Sequence, residues 1–97
     1  MMLLKVTGLQ RTDSYDADVK AAPADVISDA TNAIDKLLRN SASGALRLHS
    51  LKGYPKPTIF KIDVRADRSW QITFELDGAT AVLLRLAKHK ELDRRPR

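Results

Sequence analysis

The chain has 97 residues, 43% of them hydrophobic and 30% charged, and it carries a net charge of +5. A chain of this length is expected to form a single domain, here over residues 1–97. The lack of cysteine excludes disulfides, thiolate catalysis and cysteine-based metal sites. No apolar run approaches the ~18 residues of a transmembrane helix, so we expect a cytoplasmic domain without a membrane partner.

The sequence offers few residues for a metal ion or a cofactor. His49 and His89 are its two histidines, too few for a histidine-rich zinc site without help from carboxylates. Its four glycines are widely spaced, so a glycine-rich phosphate loop is absent. We therefore expect neither a metal ion nor a cofactor.

Charge is distributed unevenly along the chain. Between Thr12 and Asp35 six aspartates accompany one basic residue, Lys20, whereas from Lys36 onward basic residues predominate. A basic surface on so small a protein indicates a polyanionic partner, RNA or DNA before a membrane. The alternative interpretation is a surface charge that only keeps the protein soluble.

The first half of the chain predicts one short strand and two helices. Met2–Thr7 is expected to form the strand, which ends at Gly8. Thr12 and its polar neighbours suit the start of a helix that runs to about Ala21. The following helix, of roughly 16 residues, is predicted by apolar residues at three- and four-residue spacing: Val26, Ile27, Ala30, Ala33, Ile34, Leu37 and Leu38.

The second half changes to the period of strands. Residues 59–65 and 70–76 alternate between apolar and polar side chains. Asp77-Gly78 is a strong hairpin signal, and the apolar run Thr80–Ala87 predicts a strand that is covered on both faces. The expected order is therefore β-α-α-β-β-β, an α+β fold with a mostly antiparallel sheet and two helices packed on one of its faces.

The opposite face of this predicted sheet collects polar side chains. We expect an open, solvated surface that carries Lys61, Arg65, Gln71, Thr73, Arg85 and His89, with Lys52 reaching it from the preceding loop. Arginine and lysine could stabilise charge on a phosphodiester, and His89 could move protons. The alternative is an ordinary solvated sheet face.

Three segments resemble the RelE/ParE toxin superfamily. LRLHSLKG (Leu46–Gly53) looks like the loop before its sheet, and KIDVRADRSWQITFELDG (Lys61–Gly78) looks like its central hairpin. LLRLAKHKELDRRP (Leu83–Pro96) is similar to its last strand and C-terminal segment.

The resemblance implies the RelE-like microbial ribonuclease fold and the toxin of a type II toxin–antitoxin pair. The RelE-like branch cuts mRNA in the ribosomal A site without a metal ion, and the RNA's own 2′-hydroxyl is the attacking group. The implied partners are a cognate antitoxin, the ribosome and mRNA.

The resemblance also implies roles for individual residues. His89 falls where YafQ-like members have a catalytic histidine, and His49 matches a second histidine position of that branch. Lys52 and Arg65 occupy positions where the family has basic residues, and Arg85 completes the predicted catalytic set. The predicted RNA- and phosphate-binding residues are Lys61, Arg68, Gln71, Lys88 and Lys90.

Gln71 departs from the family, which often has an arginine there. Glutamine supplies no positive charge, so this position favours a second function within the same superfamily, that of a ParE-like toxin that inhibits DNA gyrase without being an enzyme. If the protein is a nuclease, we expect Gln71→Arg to be tolerated on a solvated face and to speed cleavage. A third function, a basic RNA-binding or structural domain without toxicity, has little support from five scattered aromatic residues.

Overall fold

The described residues form five strands and three helices. The computed structural model describes residues 6–39, 46–55 and 58–97, with the backbone alone for residues 52–55. In chain order the elements are β1 (Gly8–Arg11), α1 (Asp13–Ala21), α2 (Ala24–Arg39), β2 (His49–Pro55), β3 (Thr58–Asp63), β4 (Trp70–Asp77), β5 (Thr80–Lys88) and α3 (His89–Arg94). The strands form one sheet in the order β1-β5-β4-β3-β2.

Helices α1 and α2 cover one face of the sheet, which we call the helix face. Thr12 begins α1 as predicted, because its Oγ1 accepts a hydrogen bond from the backbone N–H of Tyr15 at 3.2 Å. Four residues of the predicted apolar stripe of α2 are buried against the sheet, namely Val26, Ala30, Ala33 and Leu37, whereas Leu38 is exposed. The predicted α+β fold, with two helices packed on one face of a mostly antiparallel sheet, is confirmed.

The antiparallel centre of the sheet follows the alternation in the sequence. Phe60 of β3 lies opposite Phe74 of β4, and their rings stack with centroids 5.5 Å apart on the helix face. The predicted hairpin joins β4 to β5, where Asp77 pairs with Thr80. Gly78 in this turn has φ +61°, a conformation that glycine adopts without steric cost.

The edges of the sheet differ from the prediction. The predicted first strand ends at Gly8, where β1 begins; Met2–Lys5 lie outside the described residues, and Val6 and Thr7 precede the strand. Strand β1 pairs in parallel with β5, so the sheet is mixed. Strand β2 begins inside Leu46–Gly53, the segment that was interpreted as a loop before the sheet. The C-terminal helix α3 was not predicted. Edge pairings of this kind depend on tertiary packing and leave no periodic signal.

The face opposite the helices, which we call the second face, is not open to solvent. Helix α3 packs against β4 and β5, and Leu92 of α3 is buried. The chain after α3 continues across the sheet, where the Thr73 hydroxyl donates a hydrogen bond to the Pro96 carbonyl at 2.6 Å. The expectation of a solvated polar face is therefore wrong: Lys61, Gln71 and Thr73 are buried beneath α3 and the C-terminal residues.

Within the described ranges, no helix has the length and apolarity needed to cross a membrane.

Candidate active site

His89 is the first residue of α3 and directly follows β5. Its side chain is 53% exposed, and its Nε2 lies 3.4 Å from the Asp93 carboxylate one helical turn later. On the inner side of the ring, Nδ1 lies 2.9 Å from Oε1 of Gln71. The imidazole thus has one nitrogen anchored to the sheet and the other at the protein surface.

The anchor of His89 continues into the interior of the second face. Gln71 is 3% exposed, and its Nε2 donates a hydrogen bond to Oδ1 of Asp63 at 2.7 Å. Asp63 is 4% exposed and lies opposite Gln71 in the β3–β4 pair. We call Asp63, Gln71 and His89 the histidine relay.

Arg47 supplies a charge beside the inner end of the histidine relay. Its Nε lies 3.3 Å from Oδ2 of Asp63, although Oδ2 has no hydrogen-bond partner because the N–H is not aimed at it. Arg47 itself has φ +49°, an uncommon conformation for a residue with a side chain. The contact between Arg47 and Asp63 is therefore an electrostatic interaction without a hydrogen bond.

Lys61 is a buried cation next to the relay. Its side chain is 5% exposed, and its Nζ lies 3.8 Å from Oδ1 of Asp93. The other carboxylate oxygen of Asp93 faces His89. Asp93 therefore joins Lys61 to the histidine, and the position of Lys61 differs from the exposed phosphate contact that the sequence predicted.

Four exposed cations surround this end of the sheet. They lie at the end of β5, in α3 and directly after it, and together with Glu91 they line an open groove of about 600 Å³. We call them the basic rim: Lys88, Lys90, Arg94 and Arg95. Lys88 also lies over the ring of Trp70, with its Nζ 6.0 Å from the centroid. The predicted phosphate contacts Lys88 and Lys90 thus lie on either side of His89 in the chain.

Arg85 is held in ion pairs instead of facing an open surface. Its guanidinium contacts the carboxylate of Asp18 in α1 at 2.6 Å, that of Glu91 at 3.1 Å, and the Arg95 carbonyl at 3.1 Å. The hydrogen bond that Arg85 donates to Asp18 is the main cause that raises the pKa of Arg85 above its usual range. Asp18 also accepts a hydrogen bond from the backbone N–H of Leu86 at 2.9 Å. Arg85 therefore ties β5 to α1 and α3.

Arg65 lies outside the site that was predicted for it. It follows β3, and its guanidinium binds Asp25 at 2.6 Å and Asp29 at 2.8 Å, both in α2. The expectation that Arg65 faces away from the helices is wrong, because the chain turns after Asp63 and the aspartates capture the side chain. Arg68, in the same turn, lines a separate groove beside α2.

The Arg65 ion pairs predict acid sensitivity. The hydrogen bond from Arg65 lowers the pKa of Asp25 below its ordinary value of 3.8. A carboxyl group whose pKa is lower in the folded state stabilises the folded protein at pH values above its ordinary pKa. This stabilisation is lost as the pH falls through the pKa of the folded state. We expect Arg65→Gln to flatten the fall in melting temperature between pH 5 and pH 3 (approximate limits). Arg39→Gln, which removes an exposed pair with Asp35, is the control; equal effects of both variants would contradict the prediction.

The structure does not bring His49 to His89. His49 begins β2, and two strands separate β2 from β5, which corresponds to roughly 14 Å at the usual strand spacing. Its Nδ1 lies 2.7 Å from the Arg47 carbonyl. Lys52 lies in β2 and not in a loop, and its side chain is outside the described residues.

Sequence reasoning missed two carboxylates of the site. Asp93 lies four residues after His89, so the spacing on a helix could have indicated it had α3 been predicted. Asp63 was placed on the polar face of its strand but not in the site. Its contact with Gln71 depends on the register of the β3–β4 hairpin, which the sequence does not specify.

The arrangement suits proton transfer beside an anion. A histidine with one nitrogen fixed and the other exposed can take up or release a proton at one defined place. The basic rim offers positive charge for a phosphate, whereas the buried Lys61 is paired with Asp93. In the described ranges, no group of three or more histidine, aspartate and glutamate side chains is placed to hold a metal ion.

Comparison with known proteins identifies the fold. The sequence matches no protein-family model, and a search of curated proteins finds no match. Among solved structures, a chain of the E. coli DinJ–YafQ toxin–antitoxin complex superposes with a TM-score of 0.71 at 19% identity, over 89% of this chain and 96% of that one. The fold is that of the RelE/ParE toxins.

Two further structures carry the same RelE/ParE toxin fold. A chain of the RelB–RelE complex from Methanococcus jannaschii has a TM-score of 0.62 at 23% identity, over 88% of this chain and 95% of that one. A YoeB/ParE toxin from Agrobacterium tumefaciens has a TM-score of 0.68 at 16% identity, over 86% of this chain and 99% of that one. The likeness therefore spans most of this chain and nearly all of each of the other two.

Proposed function

We propose that the protein is the toxin of a type II toxin–antitoxin pair and cuts mRNA on the ribosome without a metal ion. The fold that it shares with YafQ, RelE and YoeB/ParE toxins supports the toxin assignment. Two of these structures are toxin–antitoxin complexes, which supports a cognate antitoxin as the partner of this chain.

The observation that carries the nuclease assignment is the placement of His89. The ring lies at the surface, its Nδ1 is anchored on Gln71, and its Nε2 is directed away from the sheet, toward Asp93. Lys88 and Lys90, two cations of the basic rim, flank it in the chain. A gyrase inhibitor, which performs no chemistry, has no need for a histidine anchored in this way.

The proposed reaction needs only proton transfer and charge stabilisation. The 2′-oxygen of the RNA forms a bond to the adjacent phosphorus while the bond from phosphorus to the 5′-oxygen breaks. The 2′-hydroxyl loses its proton, the departing 5′-oxygen gains one, and the products carry a 2′,3′-cyclic phosphate and a 5′-hydroxyl. His89 exchanges one of these protons through Nε2. The basic rim stabilises the negative charge that develops on the phosphate.

Expression from a tightly controlled promoter tests this function against its alternatives. We expect labelled methionine incorporation to stop before thymidine incorporation, and primer extension to reveal new 5′ ends in translated mRNA. Co-expression of the antitoxin should reverse both effects. Filamentation with DNA damage and intact mRNA would instead assign the protein to gyrase inhibition. Unchanged growth at a confirmed level of folded protein would favour the non-toxic RNA-binding or structural domain.

A further inference from the structure

Gln71 links a buried carboxylate to a surface histidine, and the two hydrogen bonds have a fixed direction. A carboxylate only accepts hydrogen bonds, so the amide group of Gln71 must turn its NH₂ toward Asp63, 2.7 Å away. The reversed amide would place its oxygen against a carboxylate oxygen in a site where both side chains are buried. Such a contact is repulsive and poorly screened.

The orientation of the amide determines which nitrogen of His89 carries hydrogen. With its NH₂ on Asp63, Gln71 presents Oε1 to Nδ1 of His89 at 2.9 Å. Because an amide oxygen only accepts, Nδ1 must be the donor in both the neutral and the protonated ring. Nε2 also faces an acceptor, the Asp93 carboxylate, but at 3.4 Å, a longer contact than the one that Nδ1 makes. Uptake or loss of a proton then occurs at Nε2.

We infer that Asp63 and Gln71 are positioning residues that hold His89 in the tautomer with hydrogen on Nδ1 and leave Nε2 as the proton-exchanging atom. This role differs from the phosphate contact that the sequence predicted for Gln71. It also accounts for a glutamine where the resemblance implied an arginine, because an arginine has no acceptor for the hydrogen of Nδ1. The consequence for cleavage rests on the proposed function, whereas the tautomer itself does not.

The tautomer can be read directly by NMR. Histidine labelled with ¹⁵N, observed about two pH units above the ordinary histidine pKa, distinguishes the two neutral tautomers by the shifts of its ring nitrogens. His49 and His89 are the two histidines of the chain, so the spectrum contains two ring systems. His49 provides an internal reference, because its Nδ1 faces the Arg47 carbonyl at 2.7 Å and must also carry hydrogen.

Two substitutions of Gln71 form a matched pair. Gln71→Leu removes the acceptor, so we expect His89 to become a mixture of tautomers while His49 is unchanged. Gln71→Glu, with its carboxyl group protonated so that its O–H donates to Asp63, keeps an oxygen facing Nδ1 and should preserve the native tautomer. Asp63→Asn is a third variant, of nearly the same shape, that no longer forces the direction of the amide; the His89 tautomer should become mixed here too. If Gln71→Leu fails to fold, Asp63→Asn still tests whether the amide direction fixes the His89 tautomer.

Cleavage provides the second measurement. Loss of a group that orients a functional histidine is expected to slow cleavage by about 10–100-fold, by analogy with residues that orient metal-bound histidines, with Gln71→Glu closer to wild type than Gln71→Leu. A folded Gln71→Leu or Asp63→Asn protein whose His89 keeps hydrogen on Nδ1 would overturn the inference, even if the wild type cuts mRNA. A mixed tautomer in these variants supports the inference, even if the wild type cuts no mRNA and the proposed function is therefore wrong.

Discussion

Replacement of His89 by alanine is expected to slow mRNA cleavage on translating ribosomes by about 10²–10⁴-fold, the usual contribution of a general acid or base. The variant removes Nε2, the nitrogen at the surface 3.4 Å from the Asp93 carboxylate. The measurement is a single-turnover cleavage assay with purified ribosomes, programmed mRNA and an excess of protein.

Two control variants separate the chemistry of His89 from its structural contact. His89→Asn retains an N–H that can donate to Gln71 but has no counterpart of Nε2, so it should be as slow as the alanine variant. His49→Ala should have a smaller effect, since His49 lies on the far side of two intervening strands. Full cleavage by a folded His89→Ala protein would show that His89 does not transfer a proton in the reaction.

Replacement of Arg85 by methionine is expected to lower the free energy of unfolding by about 2–3 kcal/mol, because it leaves a largely buried carboxylate without its cation. Arg85 is 11% exposed and binds Asp18, Glu91 and the Arg95 carbonyl, so the loss affects α1, β5 and α3 together. A domain of this size has about 5–15 kcal/mol of stability in total. Urea unfolding at neutral pH measures the change.

Arg39→Met is the matched control for the loss of an arginine. Arg39 is 79% exposed and forms an ion pair with Asp35 within one helix, which is expected to contribute less than about 0.5 kcal/mol. If Arg85→Met were no more destabilising than this control, the ion pairs of Arg85 would not be structural. A strong loss of cleavage in such a stable variant would then return Arg85 to the catalytic set that the sequence predicted.

The structure changes the result that we expect for Gln71→Arg. The expectation required a solvated position, but Gln71 is buried between Asp63 and His89. An arginine there could pair with Asp63, yet it would leave Nδ1 of His89 without an acceptor. We therefore no longer expect this variant to cut faster than the wild type.

The local periodicity of the sequence determined the elements of the helix face. The three- and four-residue spacing predicted α2 and its buried stripe, and the alternation predicted β3, β4 and the face on which Phe60 and Phe74 stack. Turn chemistry predicted the hairpin at Gly78. These features follow from the sequence alone because each depends on neighbouring residues and on one buried surface.

The second face and the candidate site were decided by tertiary structure. Alternation shows which residues share a face, but not what covers that face, and α3 with the residues after it turned the expected open surface into a buried one. The deciding contacts join residues far apart in the chain: Arg65 lies 36 residues from Asp29, and Arg85 lies 67 from Asp18. Such pairs have no local signature in the sequence, because each arginine has many acidic residues in the chain with which it could pair. The sequence therefore predicted His89 as a candidate, whereas only the packing of three elements placed Gln71 and Asp63 behind it.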